Sequence, residues 1–132
     1  MSNSVSQDAT GRFPKSSRLL RHADFEKVYK RGRRHFAQHM TVFYLGAEKA
    51  DHGLRVGFTV SKALGGAVQR NRMKRRLREA VRLKGLPHVV AADVVINPKR
   101  TLLDAEFADL QNDVARAFEA IAKNLNKERA RS

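Results

Sequence analysis

Leu54-Arg-Val-Gly-Phe-Thr-Val-Ser61 leads through Lys62-Ala-Leu-Gly-Gly-Ala67 into Val68-Gln-Arg-Asn-Arg-Met-Lys-Arg-Arg-Leu-Arg-Glu-Ala-Val-Arg-Leu-Lys84, and this stretch decides the fold. Its first part alternates. Leu54, Val56, Phe58 and Val60 share one face, and Arg55, Gly57, Thr59 and Ser61 share the other, which predicts a half-buried strand in an antiparallel hairpin. The last part has a helical period instead. Met73, Leu77, Ala80 and Val81 form an apolar stripe, while Arg70, Lys74, Arg78 and Arg82 make a ridge at i+4 intervals with Asn71 and Arg75 beside it. A helix from about Val68 to Lys84 with separate core and basic faces follows, stopped by Gly85 and Pro87.

Upstream, Phe25, Val28 and Tyr29 fall at i, i+3, i+4, with Asp24 and Glu26 in the first turn, predicting a helix over Ala23–Arg31 that ends at Gly32. Phe36–Gly46, rich in aromatic and β-branched residues, reads as one strand, and polar Ala47–Gly53 as the turn after it. Downstream, Val89–Ile96 reads as a short buried strand ending at Pro98. Phe107, Leu110, Val114, Phe118, Ile121 and Leu125 then mark an amphipathic helix over about Leu103–Leu125. Residues 1–15 and the basic 126–132 are expected to be flexible tails around a single domain at 16–125. The order α-β-β-α-β-α implies a small α/β (α+β) sandwich with helices covering a short mixed sheet.

The chain has 132 residues, enough for one modest core, and 27 Lys and Arg against 13 Asp and Glu leave it at +14. Residues 12–34 carry nine basic and two acidic residues, residues 70–84 eight and one, and the remainder balances. One or two defined basic surfaces are therefore expected, rather than a diffuse solubilising coat. Along 70–84 like charges repel at i, i+4 with only Glu79 to relieve them, so a polyanionic ligand explains the run better than stability does. The absence of Cys excludes disulfides, thiolate metal sites and cysteine nucleophiles. No apolar run approaches a membrane span and no signal peptide opens the sequence, so the cytoplasm is the expected location, with no membrane partner.

Catalytic signatures are missing. His35 and His39 are four apart, but in a strand that spacing spans about 13 Å, so these histidines read as surface or RNA-facing groups and not as metal ligands. Gly65-Gly66 precedes a helix without Walker or dinucleotide spacing and reads as a turn. Nucleic-acid binding has a direct physical basis instead. Guanidinium groups donate bidentate hydrogen bonds to phosphate, and an i+4 ridge sets donors about 6 Å apart in a line. Phe25 and Tyr29, one helical turn apart, and Phe43, on the less apolar face of its strand, are on periodicity alone either core residues, the commoner use, or base-stacking surfaces.

Arg70-Asn-Arg-Met-Lys-Arg-Arg-Leu-Arg-Glu79, preceded by Arg55-Val-Gly-Phe-Thr-Val-Ser-Lys62 and by Asp24, Phe25, Val28, Tyr29, Lys30 and Gly32, closely resembles the protein component of bacterial ribonuclease P. The resemblance runs from about Arg18 to Ile96 and more weakly through the last helix. It implies a left-handed β-α-β crossover similar to ribosomal protein S5 domain 2, against the usual right-handed rule. It also implies that Arg70, Asn71, Arg72, Lys74, Arg75 and Arg78 contact the catalytic RNA. Phe25, Tyr29, Phe43, Ser61 and Lys62 would line a cleft for the single-stranded 5′ leader of precursor tRNA. The protein would bind no cofactor itself, one copy would serve each RNA, and Mg2+ would sit in the RNA-containing holoenzyme, where catalysis lies. Ala63 and Gly66 depart from the usual loop residues, and Asn97-Pro98 interrupts the usual ending of the last strand, although Lys99 and Arg100 restore charge. A structural RNA-binding protein of ribosomal type, with no processing role, is the alternative.

Overall fold

The computed structural model describes residues 22–47, 53–85 and 91–131. The expected tail at 1–15, most of the Ala47–Gly53 turn, the segment at Val89, and His52 and His88 lie outside the described residues. Helix α1 (His22–Arg31) passes through Gly32 into β1 (Arg33–Phe36), followed by β2 (Met40–Gly46) and β3 (Leu54–Phe58). Helix α2 (Ala67–Ala80) runs into a wide turn at Val81–Gly85, and β4 (Ala92–Pro98) and α3 (Phe107–Arg131) complete the chain. Short 3-10 turns at Lys62–Leu64 and Arg100–Leu103 precede α2 and α3.

Among the described residues the strands form one sheet in the order β1-β2-β4-β3. β1 pairs antiparallel with β2, β2 antiparallel with β4, and β3 parallel with β4. The mixed α+β class read from the sequence holds, and β3-α2-β4 is its crossover unit. Two pairings differ from expectation. The stretch read as a single strand from Phe36 is a hairpin, because the Ala37 N–H donates to the Met40 carbonyl (2.9 Å) and turns the chain between β1 and β2. Arg33, Arg34 and His35 hid β1, since charged residues on an edge strand do not alternate with apolar ones. Nor does β3 form a hairpin with β2. β4 lies between them, because its Val-Val-Ile run has apolar side chains for both faces and takes the centre of the sheet.

The main core lies on one sheet face, where Met40, Val42 and Tyr44, Leu54 and Val56, and Ala92, Val94 and Ile96 meet Met73 and Leu77 of α2 and Leu110, Val114, Phe118 and Ile121 of α3. Packing there is close enough that a side chain at Gly85 would come within 3.1 Å of the Phe118 ring. α3 continues to Arg131 instead of ending near Leu125, with Arg33 paired to Glu128 and the Asn124 amide donating to the Tyr44 hydroxyl (2.8 Å). His39, read as a surface or RNA-facing group, is buried. Its N–H donates to Asp113 Oδ2 (2.8 Å) and its Nδ1 lies 2.9 Å from Thr101 Oγ1, so it ties the β1–β2 turn to α3.

Candidate nucleic-acid interface

Val28 of α1 and Val95 of β4 are fully buried yet stand apart from the main core cluster, and Val95 points opposite to Val94 and Ile96. α1 therefore packs on the second face of the sheet, away from α2 and α3. Gly32 allows this. A Cβ there would lie 2.4 Å from the Val28 carbonyl oxygen and 2.5 Å from that of Tyr44, so only glycine lets the chain leave α1 this close to β2.

Polar contacts fix the helix at both ends. Arg55 on β3 donates from Nε to Asp93 Oδ1 (2.9 Å) and from Nη2 to Asp93 Oδ2 (2.8 Å), and Nη2 also reaches Asp24 Oδ1 of α1 (3.3 Å). The hydrogen bond with Asp93 is the main cause that holds the Arg55 guanidinium above its ordinary pKa, with burial acting against it. One turn from the far end, the Tyr29 hydroxyl lies 3.0 Å from both Thr59 Oγ1 and Asn97 Oδ1. A phenol has one proton and the Asn97 carbonyl oxygen can only accept, so the Thr59 hydroxyl completes the set by donating to the phenol oxygen. The Tyr29 ring meets Phe43 edge-on, with centroids 4.8 Å apart and planes at 80°.

Strand register extends this surface. Thr41 pairs with Asn97 and Phe43 with Val95, while Phe36 and Arg34 of β1 stand opposite Thr41 and Phe43. The Thr59 N–H bonds to the Ile96 carbonyl (3.0 Å), which carries β3 on beside β4. A row Phe36-Thr41-Asn97-Thr59 thus crosses the sheet in front of Tyr29, and Ser61 and Lys62 follow at its end. The structure brings Tyr29 and Phe43 together and sets Lys62, exposed, just past Thr59. Ser61 is less available, since its Oγ accepts from the Ala63 N–H (3.2 Å) and caps the 3-10 turn. Phe25 is half-buried one turn before Tyr29 and makes no ring contact with Tyr29 or Phe43.

Across the sheet, α2 presents the second basic region. Asn71, Arg72 and Arg75 are exposed, and Arg70, Lys74 and Arg78 are half-buried. No side chain of these six hydrogen-bonds or pairs with another described residue, and Nε of Arg70 and of Arg78 is out of solvent without an acceptor. The other two arginines of the helical run differ. Arg76 donates to the carbonyls of Leu102 (2.7 Å), Leu103 (3.0 Å) and Ala105, and Arg82 pairs with Glu79. Arg82, read as the last member of the ridge, is thereby neutralised. No three His, Cys, Asp or Glu residues converge as a metal site among the described residues.

A family model described as ribonuclease P matches residues 13–122. The chain belongs to the ribonuclease P protein family. It is 38% identical over 98 residues to the ribonuclease P protein component of Finegoldia magna, spanning 74% of this chain and 84% of that protein. The Staphylococcus aureus component is 33% identical over 113 residues, 86% of this chain and 96% of that one. A solved structure of Staphylococcus aureus RNase P protein has a TM-score of 0.68 at 32% identity and covers 83% of this chain and 97% of its own. The RNase P protein from Thermotoga maritima, at 22% identity and a TM-score of 0.68 over 78% of this chain and 96% of that one, shares the fold. Membership gives the chain its activity as the accessory protein subunit of a ribonucleoprotein endoribonuclease of tRNA processing, with the ribonuclease P RNA and precursor tRNA as partners. Sequence reasoning missed Thr59 and Asn97 as the supports of Tyr29, and Phe36 at the end of their row. Alternation had placed Thr59 on the polar face, and Asn97 had stood out only as a departure from the family pattern.

Proposed function

We propose that the α1 face receives the single-stranded 5′ leader of precursor tRNA while the α2 face binds the catalytic RNA, one protein per RNA. The observation that carries this reading is that α1 and the basic helix α2 pack on opposite faces of one sheet. One has fixed aromatic edges and a polar floor, the other a group of cations with no acceptor among the described residues. Tyr29 and Phe43 offer π-faces that accept any base, and Lys62 at the open end meets a phosphate, so leader binding is largely indifferent to sequence. Arg70, Asn71, Arg72, Lys74, Arg75 and Arg78 supply bidentate or point-charge contacts to RNA phosphates. Neutralising phosphate where RNA and leader converge lets Mg2+, held by the RNA, act at lower concentration. Catalysis stays in the RNA. A cytoplasmic location suits these partners, and among the described residues no helix is long and apolar enough to cross a membrane.

Reconstitution with ribonuclease P RNA at low magnesium tests the assignment. Arg70→Ala and Arg75→Ala weaken binding to the catalytic RNA whatever the substrate. Phe25→Ala and Tyr29→Ala weaken binding of leader-bearing precursor relative to mature tRNA. Equal losses on both substrates from the aromatic changes would return those rings to a packing role.

A further inference from the structure

Phe36 is 67% exposed, against 39% for Tyr29, and belongs neither to the hydrophobic core nor to the partly buried residues packed against it. An exposed aromatic on an edge strand invites aggregation and adds little to stability, so folding does not explain it. Its surroundings do. Arg34, also exposed, holds its guanidinium carbon 5.5 Å from the centre of the Phe36 ring and pairs with no carboxylate among the described residues. Both side chains share the face of Tyr29 and Phe43, because Arg34 stands opposite Phe43 and Phe36 opposite Thr41. Phe36 and Phe43 are diagonal neighbours on adjacent strands, which sets them about 7–8 Å apart at the backbone. A strand of RNA with one base on the Tyr29-Phe43 pair can place the next against Phe36 without leaving the row of Thr41 and Asn97.

We propose that Phe36 and Arg34 form a second stacking platform on the edge strand, taking an unpaired base of the leader one step beyond the Tyr29-Phe43 pair, with Arg34 bound to its phosphate. The platform rests on the leader reading of the cleft and lengthens that site from the helix wall to the edge of the sheet. Arg34 covers one side of the ring and the other remains open for a base, the arrangement that stacking on single strands uses.

The test is an abasic scan with the reconstituted holoenzyme, binding precursor tRNAs whose leader carries one abasic residue at each successive position. With the native protein, two adjacent positions are expected to weaken binding, each about five- to tenfold. Phe36→Leu should lower affinity for the intact leader by the same factor and remove the abasic penalty at one position only. Phe36→Trp should restore both, and Arg34→Gln should reduce the salt dependence of binding by about 0.7 in log-log slope. Thermal unfolding checks that Phe36→Leu is folded. An unchanged scan in Phe36→Leu, beside a native scan still sensitive to Tyr29→Ala, overturns the platform and leaves the cleft reading standing. A native scan flat at every position overturns both. Should Phe36→Leu instead dissociate a protein dimer in sedimentation while leader binding stays unchanged, the edge strand serves a second copy of the chain and the platform is wrong.

Discussion

The α1 face and the α2 face are both basic, but their charges are handled in opposite ways. On the α1 face the groups that shape the cleft bond to one another: Arg55 to Asp93 and Asp24, Tyr29 to Thr59 and Asn97. On the α2 face Arg70, Asn71, Arg72, Lys74, Arg75 and Arg78 have no acceptor among the described residues, and two Nε atoms are shut away from water with none there. A buried donor without a partner costs roughly 1–3 kcal/mol, which a fold tolerates at a surface that an outside acceptor will complete. Internal bonding marks a preset shape, and unpaired donors mark a surface finished by its ligand.

The comparison breaks most severely at Gly32. A Cβ there overlaps two backbone carbonyls, so Gly32→Ala should destabilise by about 3 kcal/mol, read as a lower urea midpoint, because α1 must lift from the sheet. Leader discrimination should fall with it, whereas binding of the folded fraction to catalytic RNA should survive. Loss of both in proportion would mean the two faces are not independent.

Arg76 tests the rule within a single helix. It donates to three carbonyls at the turn before α3, so Arg76→Met should cost about 2 kcal/mol of stability. Arg75→Ala, one residue away, should change the unfolding free energy by less than about 0.5 kcal/mol while weakening RNA binding. If the two exchanged effects, unpaired donors would not mark the RNA surface.

Nothing in the sequence separates these neighbours by type, since both are arginines in an unbroken basic run. The helical period did separate Met73 and Leu77 from the basic side, because burial follows from rotation about one axis. Which arginine bends back to a carbonyl depends on where the turn Arg100–Leu103 packs, some 25 residues later, and local pattern carries no such information. The same limit hid the place of β4. Alternation in β3 assigned its faces correctly, down to Thr59 beside Tyr29, but pairing order depends on which strand is apolar on both sides. Tyr29 and Phe43 were legible as candidates, and their meeting at 4.8 Å became visible only once β2 and α1 were set on the same face.

Tyr29→Phe sharpens the α1 half. Removing the hydroxyl frees Thr59 and Asn97, both within reach of water, so stability should drop by about 1 kcal/mol while the ring stays against Phe43. Affinity for leader-bearing substrate should fall two- to threefold, as the ring is no longer pinned, with mature tRNA unaffected. An unchanged leader affinity would show that edge contact with Phe43 alone fixes the ring.

The smallest effect comes from Arg82, the cation of the α2 ridge that pairs with a carboxylate among the described residues. The hydrogen bond from Arg82, helped by its charge and opposed by burial, holds the Glu79 carboxyl below its ordinary pKa. A depressed carboxyl stabilises the fold above its unfolded value and loses that contribution as pH falls through the folded one. Glu79→Gln should therefore cost no more than about 0.5 kcal/mol at neutral pH, since the pair is partly exposed, and the difference should shrink to nothing as pH falls from the ordinary carboxylate range through the lowered Glu79 value. The same substitution releases Arg82 as a further unpaired donor one turn along the ridge from Arg78. Affinity for the catalytic RNA should then rise about twofold at low salt, and the log-log salt slope should steepen by roughly 0.7–0.9. An unchanged slope would place the end of the RNA surface at Arg78, with Glu79 as its border.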